Sequence, residues 1–307
     1  MKILVTGGTG YLGEHLVKRL EKDGHEVTKF SSKECDLTEH DALFEYLKDK
    51  KGYFDRIYHL AAWTQAGDFC LYHSGEQWLI NQKINTNVLD YWHFEQPQAK
   101  FICMGTSCSY DPELPLIEEN YMLGTPIDSL YTYAMTKRML YAGLLALNKQ
   151  YGHKYLCVVP STLYGPDYHF DGRQLHFIFD LIRKIADGKY EGTEVTLWGD
   201  GYQKRELIFV EDFINDLLHL SNHADNDLVN IGAGEEHTIR EFAKNICDFI
   251  EYPFENIKFD TTKYVGAKSK FLSNKKLESI QPNLKRISLK EGLSKTVKWY
   301  LKEILKK

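Results

Sequence analysis

A phenol and an ammonium stand four residues apart in Tyr133-Ala134-Met135-Thr136-Lys137. On a helix that spacing puts both on one face. The lysine charge would lower the phenol's pKa, and a phenolate can take a proton from a substrate hydroxyl as hydride leaves the same carbon. Tyr-x-x-x-Lys alone is common on helix surfaces, so its meaning depends on its company. Gly105-Thr106-Ser107-Cys108 follows the apolar run 100–104, at what would be the carboxyl edge of a parallel sheet, where ligands bind. Thr106 there can hydrogen-bond the same substrate oxygen. One such hydroxyl is more often a loop cap; the three elements together point to redox chemistry.

Hydride transfer needs a carrier, and the N-terminus offers a place for one. Thr6-Gly7-Gly8-Thr9-Gly10-Tyr11-Leu12-Gly13 lies between the apolar run 2–5 and a helical pattern over 14–22. Gly7 permits a tight turn, Gly10 lets backbone approach a pyrophosphate, and Gly13 lets the helix pack close to the strand. The helix N-terminus then turns unpaired N–H groups toward the phosphates. A glycine triplet alone is weak, but strand before and helix after make this a dinucleotide loop. Phe30-Ser31-Ser32 stands where a ribose-binding acid is expected, and no arginine cradle for a 2′-phosphate is present, although Lys33 is near. Ser31 and Ser32 can bond a ribose hydroxyl, so the expected cofactor is NAD rather than NADP. Asp36-Leu37 either meets the adenine or caps the turn before Thr38.

The elements that must position these groups alternate. Strands are expected at 26–30, 56–60, 100–104 and 155–159, with helices over 41–47, 84–91 and 133–150 between them. This alternation predicts an α/β protein with a Rossmann-type, doubly wound parallel sheet. Beyond Gly165 the pattern loosens: a helix over 175–186 and short strands at 194–198 and 206–210, then a mixed tail from His237. The expected division is a dinucleotide-binding domain over 1–165, with a return segment near 205–232, and a smaller mixed α/β substrate lobe from 166–204 and 233–307.

Bulk properties exclude other classes. The 307 residues hold 38 Lys+Arg against 43 Asp+Glu, a net charge of −5. That balance argues against a nucleic-acid or membrane-surface partner. No apolar run reaches the ~20 residues of a membrane span, and MKILVTGG turns glycine-rich too early for a signal peptide. Cysteines 35, 70, 103, 108, 157 and 247 form no CxxC pair and no metal spacing, so free thiols in the cytoplasm and no metal site are expected.

With the glycine loop, Leu60-Ala61-Ala62 after the third strand, Thr106, Tyr133, Lys137 and Leu163-Tyr164-Gly165-Pro166, the chain resembles the extended short-chain dehydrogenase/reductases, the NAD-dependent epimerase/dehydratase family. More narrowly it resembles the GDP-fucose-synthase-like nucleotide-sugar enzymes along nearly its whole length. Gly105 to Tyr110, Trp198-Gly199-Asp200-Gly201 with Arg205-Glu206, and Asn230 to Gly234 carry that likeness. The resemblance implies hydride transfer at C4 of a GDP-linked sugar, by Tyr133 and Lys137 with Thr106 in place of a usual serine. It also implies proton exchange by Cys108 and His176 at the carbons flanking a C4 ketone. Ser107, Lys184, Trp198, Arg205 and Lys270 would face the nucleotide sugar, and Pro160, Thr162 and Leu163 the nicotinamide. A homodimer through the Tyr133 helix is implied too, with Leu140, Leu144 and Leu145 available for it or equally for the monomer's core, as is a place in polysaccharide biosynthesis.

The departures bear on chemistry. Thr162 replaces a usual Asn, Lys184 a usual Arg with its fork-shaped phosphate grip, and Thr9 and Ser32 stand where NADPH-dependent relatives carry arginines. Ser269 and Ser273 replace an Arg and an Asp. The leading expectation is NAD-dependent C4 oxidation or redox-neutral epimerisation of a manno-type GDP-hexose or GDP-heptose. The alternative is C3/C5 epimerisation of a 4-keto sugar followed by C4 reduction. A non-catalytic dinucleotide-binding sensor or scaffold is a third class, and would require a broken Tyr-Lys pair.

Overall fold

The computed structural model describes residues 1–66, 69–263 and 268–306. Among these the chain runs β1 (Lys2–Thr6), α1 (Tyr11–Lys22), β2 (Glu26–Lys29), α2 (Ala42–Tyr46), β3 (Arg56–His59), α3 (Phe69–Tyr72), α4 (Ser74–Glu95), β4 (Lys100–Met104), α5 (Tyr131–Tyr151) and β5 (Tyr155–Pro160). It continues through β6 (Thr162–Tyr164), α6 (Phe177–Tyr190), β7 (Thr196–Trp198), β8 (Lys204–Arg205), β9 (Leu207–Phe209), α7 (Val210–His223), β10 (Asp227–Ile231) and β11 (His237–Thr238). α8 (Ile239–Ile250), β12 (Lys258–Asp260), α9 (Lys275–Ile280) and α10 (Leu289–Trp299) complete it.

Six strands form one sheet in the order β10-β5-β4-β3-β1-β2, and all five pairings are parallel. Alternate side chains feed two cores. Leu4, Ile57, Phe101 and Cys157 pack with Val88 of α4 and Leu140 and Leu144 of α5. Ile3, Val5, Tyr58 and Ile102 pack on the other face with Leu16 of α1 and Phe213 and Leu217 of α7. Strands buried on both faces explain the near-continuous apolar runs. The order reverses between β1 and β3, the switch point at which such sheets open a crevice. A third core joins α6, α8 and α10 with Tyr164 and Leu197 as a smaller lobe.

One expectation changes. α4 begins ten residues before the apolar pattern, because its buried face carries Gln77, Asn81, Asn85 and Asn87. Hydrogen bonds hold most of this face: Asn81 Nδ2 donates to the Trp63 carbonyl at 2.9 Å, Asn87 Nδ2 to the Leu37 carbonyl at 2.9 Å and Gln77 Nε2 to Thr64 Oγ1 at 3.1 Å, while Gln77 Oε1 has no partner among the described residues. Of the two uses open to the α5 leucines, Leu140 and Leu144 serve the monomer's core; of the three only Leu145 is exposed, as are Met139 and Tyr131 elsewhere on the same helix.

Candidate active site

The glycine loop closes by a turn in which Gly10 N–H donates to the Gly7 carbonyl at 3.0 Å. Gly7 has φ of 69°, and a Cβ on it would come within 2.6 Å of Ala61 N, so strand end and loop touch backbone to backbone. A Cβ on Gly13 would lie 2.1 Å from the Gly7 carbonyl oxygen. No side chain caps α1 at Gly10, so its first amides remain open to an anion. A cavity of about 970 Å³ lies over this end, lined among others by Gly7, Thr9, Gly10, Ser32, Asp36 and Ala61. The glycines, the uncapped helix end and the open volume fit a dinucleotide. Tyr11, Leu37, Leu60 and Ala62 line the same cavity. Leu12 and Leu163 are partly buried against the core formed with α1 and α7 and do not line this cavity.

The end of β2 holds an acid that the sequence did not reveal. Glu34 folds back so that its carboxylate accepts from Ser31 N–H and Ser31 Oγ–H, both at 2.8 Å. Those bonds hold its pKa below the usual carboxylate value. Ser31 is therefore already engaged. Asp36 does act as a cap, accepting from Thr38 N–H at 2.9 Å and Thr38 Oγ1–H at 2.8 Å, while also lining the cavity.

Beneath the cleft a buried polar chain joins β1 to α5. His59 Nδ1 lies 2.8 Å from Thr6 Oγ1, and His59 Nε2 lies 3.1 Å from Asn85 Oδ1. An amide oxygen only accepts, so Nε2 carries the proton and Nδ1 accepts from the threonine hydroxyl. Asn85 Nδ2 donates onward to the Thr136 carbonyl at 3.4 Å, next to Lys137. Burial pushes His59 down to about 4, with Lys137 adding to the fall, so it is a neutral strut rather than a charge.

Lys137 Nζ lies 5.9 Å from the centre of the Tyr133 ring. The expected lowering of the phenol does not occur. Burial pushes Tyr133 well above the usual range, and its neighbours Cys108 and Cys70 push the same way. Burial also lowers Lys137, which weakens its hold on the phenol. Tyr133 is thus protonated in this environment, a donor toward a ketone; to act as a base toward an alcohol it needs a nearby positive charge, such as an oxidised nicotinamide would bring, to draw its pKa down. Thr106 follows β4 as the cap of a short turn, its Oγ1 accepting from Cys108 N–H at 3.3 Å, and its hydroxyl also serves the Cys108 thiol.

Cys108 is half-buried, whereas the other five cysteines are buried. Lys270 Nζ donates to Cys108 Sγ at 3.2 Å. Burial is the largest influence on this thiol and raises it, but the Lys270 charge and hydrogen bonds involving Thr106, Lys270 and Ser107 leave it below its ordinary value. His176 is not within a helix but precedes α6, its carbonyl accepting from Phe179 and Asp180 N–H. Its side chain reaches the surface, yet crowding by protein on its other sides pushes the imidazole down to about 4.

A second cavity of about 730 Å³ is lined by residues including Ser129, Arg173, Asp180, Arg183 and Trp198. Trp198 is exposed, a ring surface for a base or sugar. Lys184 faces Asp180 at 3.0 Å and does not line this cavity; its neighbour Arg183, paired with Asp180 and Asp187, does. Arg173 lines both cavities and is held by Asp171, with Nε 3.0 Å from each carboxylate oxygen. A small enclosed space gathers Ser107, Ser161, Thr162, Arg205, Glu206 and Lys270. Pro160 closes β5 just before it. Sequence reading missed Glu34, Arg173, Arg183 and Glu206; among these only Glu206, in the Arg205-Glu206 motif, carried a sequence signal.

Fold, glycine loop and Tyr-Lys pair define a short-chain dehydrogenase/reductase of the extended kind: the chain belongs to the NAD dependent epimerase/dehydratase family, whose model matches residues 3–232. It is 29% identical over 313 residues to GDP-L-fucose synthase 1 of Arabidopsis thaliana, covering 99% of this chain and 94% of that one. It is likewise 29% identical to GDP-L-colitose synthase of Yersinia pseudotuberculosis, covering 99% of each. The crystal structure of a GDP-L-fucose synthetase from Naegleria fowleri bound to NADP superposes with a TM-score of 0.86 at 26% identity, covering 98% of this chain and 94% of that one.

Proposed function

We propose that the protein is an oxidoreductase that transfers hydride at C4 of a GDP-linked sugar of manno type, hexose or heptose. The observation that carries this reading is the meeting of Thr106, Cys108, Tyr133 and Lys137 at the carboxyl edge of the sheet, with a dinucleotide-shaped cleft on one side. When bound, a nicotinamide dinucleotide supplies or accepts the hydride. Gly7, Gly10 and the first amides of α1 hold its phosphates, and Ala61 and Ala62 form the opposite wall. Tyr133 passes the proton of the C4 oxygen, giving it when a ketone is reduced and taking it when an alcohol is oxidised. Thr106 orients that oxygen. Arg173, Arg183 and Arg205 suit the diphosphate, and Trp198 offers a face to the sugar or base. The names of the curated relatives, both GDP-sugar synthases, support the choice of nucleotide.

NAD is the preferred carrier in this proposal. Glu34 adds a carboxylate, bonded to Ser31, to the turn whose Ser32 lines the cleft, and no arginine stands at Thr9 or Ser32 to offset its repulsion of a 2′-phosphate. With NAD, C4 oxidation or a redox-neutral epimerisation is favoured, since the cellular NAD pool is largely oxidised.

A second reading has its own observation. The half-exposed Cys108 lies beside Tyr133 and is the group needed to exchange protons at carbons next to a C4 ketone, with His176 as partner; this is C3/C5 epimerisation followed by C4 reduction. The two readings part on one experiment, incubation with a 4-keto GDP-sugar and reduced cofactor in deuterated water. Deuterium at C3 and C5 of the product establishes the epimerase-reductase. C4 reduction without exchange leaves hydride transfer alone. Absence of any C4 redox reaction with every 4-keto and 4-hydroxy GDP-sugar offered overturns both.

A further inference from the structure

Lys270 reaches Cys108 from 162 residues away, and three features hold it there. Leu272 N–H donates to Glu206 Oε2 at 3.0 Å, Ser273 N–H to the Leu116 carbonyl at 3.0 Å, and Lys204 N–H to the Lys268 carbonyl at 2.8 Å. The segment carrying Lys270 is thus tied on both sides to the walls of the small enclosed space. Lys270 Nζ lies 3.2 Å from Cys108 Sγ, while Thr106 and Ser107 add hydrogen bonds from the thiol's own turn. The remaining titratable groups facing the sulfur are Tyr133 from α5 and Cys70 from α3, both neutral while their raised pKa values hold. The ammonium is therefore the one charge opposed to the sulfur among the described residues that face it.

We infer that Lys270 is a positioning residue that holds Cys108 as a thiolate–ammonium pair, whereas its place next to Arg205 alone would suggest a phosphate contact. A thiolate can remove the acidic proton on a carbon beside a C4 ketone. The C–H bond breaks, its electron pair passes into the enolate, and the proton resides on sulfur until it or another donor returns one to the opposite face. The sugar step rests on the second reading of the proposed function; the ion pair does not.

The test uses the intact protein with neither sugar nor cofactor added. Cys108 is the half-exposed thiol among six, so iodoacetamide under native conditions labels it first, and a Cys108→Ser variant identifies the signal by mass. The alkylation rate is followed against pH for the wild type, Lys270→Met and Lys270→Arg. The expected result is a wild-type midpoint below that of a free thiol, a higher midpoint for Lys270→Met with labelling at pH 7 slowed roughly tenfold, and recovery in Lys270→Arg. An unchanged midpoint in Lys270→Met overturns the inference. Should that variant fail to fold, thiolate absorbance near 240 nm decides it: a neutral-pH signal present in the wild type and lost in Cys108→Ser supports the pair, and its absence from the wild type overturns it. Failure here leaves C4 hydride transfer standing, and failure of the sugar assays leaves the ion pair standing.

Discussion

Glu206 gives a prediction whose size follows from the structure. It is almost fully buried, with one carboxylate oxygen accepting from Gly234 N–H at 3.1 Å and the other from Leu272 N–H at 3.0 Å. Burial pushes it up to about 7 from an ordinary 4.5; backbone N–H groups of Leu272, Gly234 and Ala233 pull it back, and Glu236 adds a smaller rise. Because the folded pKa is raised, the folded state holds the proton more tightly than the unfolded chain. The resulting stabilisation is full below about 4.5 and is lost as pH climbs through about 7. At 1.36 kcal/mol per unit, the difference corresponds to ~3 kcal/mol, most of it lost between roughly pH 5 and pH 8. Glu206→Gln removes the titration. Its amide can accept only one of the two N–H groups, so the variant carries a fixed penalty at every pH. The assay is urea unfolding of both proteins across that range. The stability gap between them should narrow by ~3 kcal/mol from about pH 5 to about pH 8. A gap that stays constant with pH would refute the reasoning and place Glu206 as an ordinary ionised carboxylate.

Three further outcomes are expected. Gly13→Ala places a methyl 2.1 Å from the Gly7 carbonyl oxygen, so titration calorimetry should show dinucleotide binding lost while the rest of the fold survives in circular dichroism. Tyr133→Phe should reduce turnover about 10²–10⁴-fold with the dinucleotide still bound; undiminished turnover would point to another acid. Glu34→Gln removes a carboxylate at the end of β2 and should raise affinity for NADP(H) severalfold relative to NAD(H), measured by fluorescence titration of the reduced forms.

The parts of the molecule governed by periodicity were legible in its sequence. The strands of the parallel sheet are short apolar runs because both faces are covered, and the glycine loop is readable because Gly7 and Gly13 sit where backbone meets backbone. The start of α4 was hidden because its buried face is built from amides held by partners such as Trp63 and Leu37, which read as a solvent face. Glu34 was hidden because the acid comes five residues after β2 and returns through a turn on Ser31. Whether Arg183 or Lys184 meets the cleft depends on one residue of helical phase, and the protonation of Tyr133 on burial, which no spacing reveals. The Lys270–Cys108 pair joins residues 162 apart, beyond any local pattern.

The central claim is that hydride passes between a dinucleotide lying over Gly7 to Gly13 and C4 of a GDP-sugar, with Tyr133 carrying the oxygen's proton. It is tested most directly by incubating the protein with a 4-keto GDP-sugar and a nicotinamide cofactor deuterated at its C4, then locating the label by NMR. Deuterium at C4 of the sugar with the wild type, and little or none with Tyr133→Phe, is the predicted result. Label that never leaves the cofactor for any such sugar, or that reaches a carbon other than C4, would contradict it.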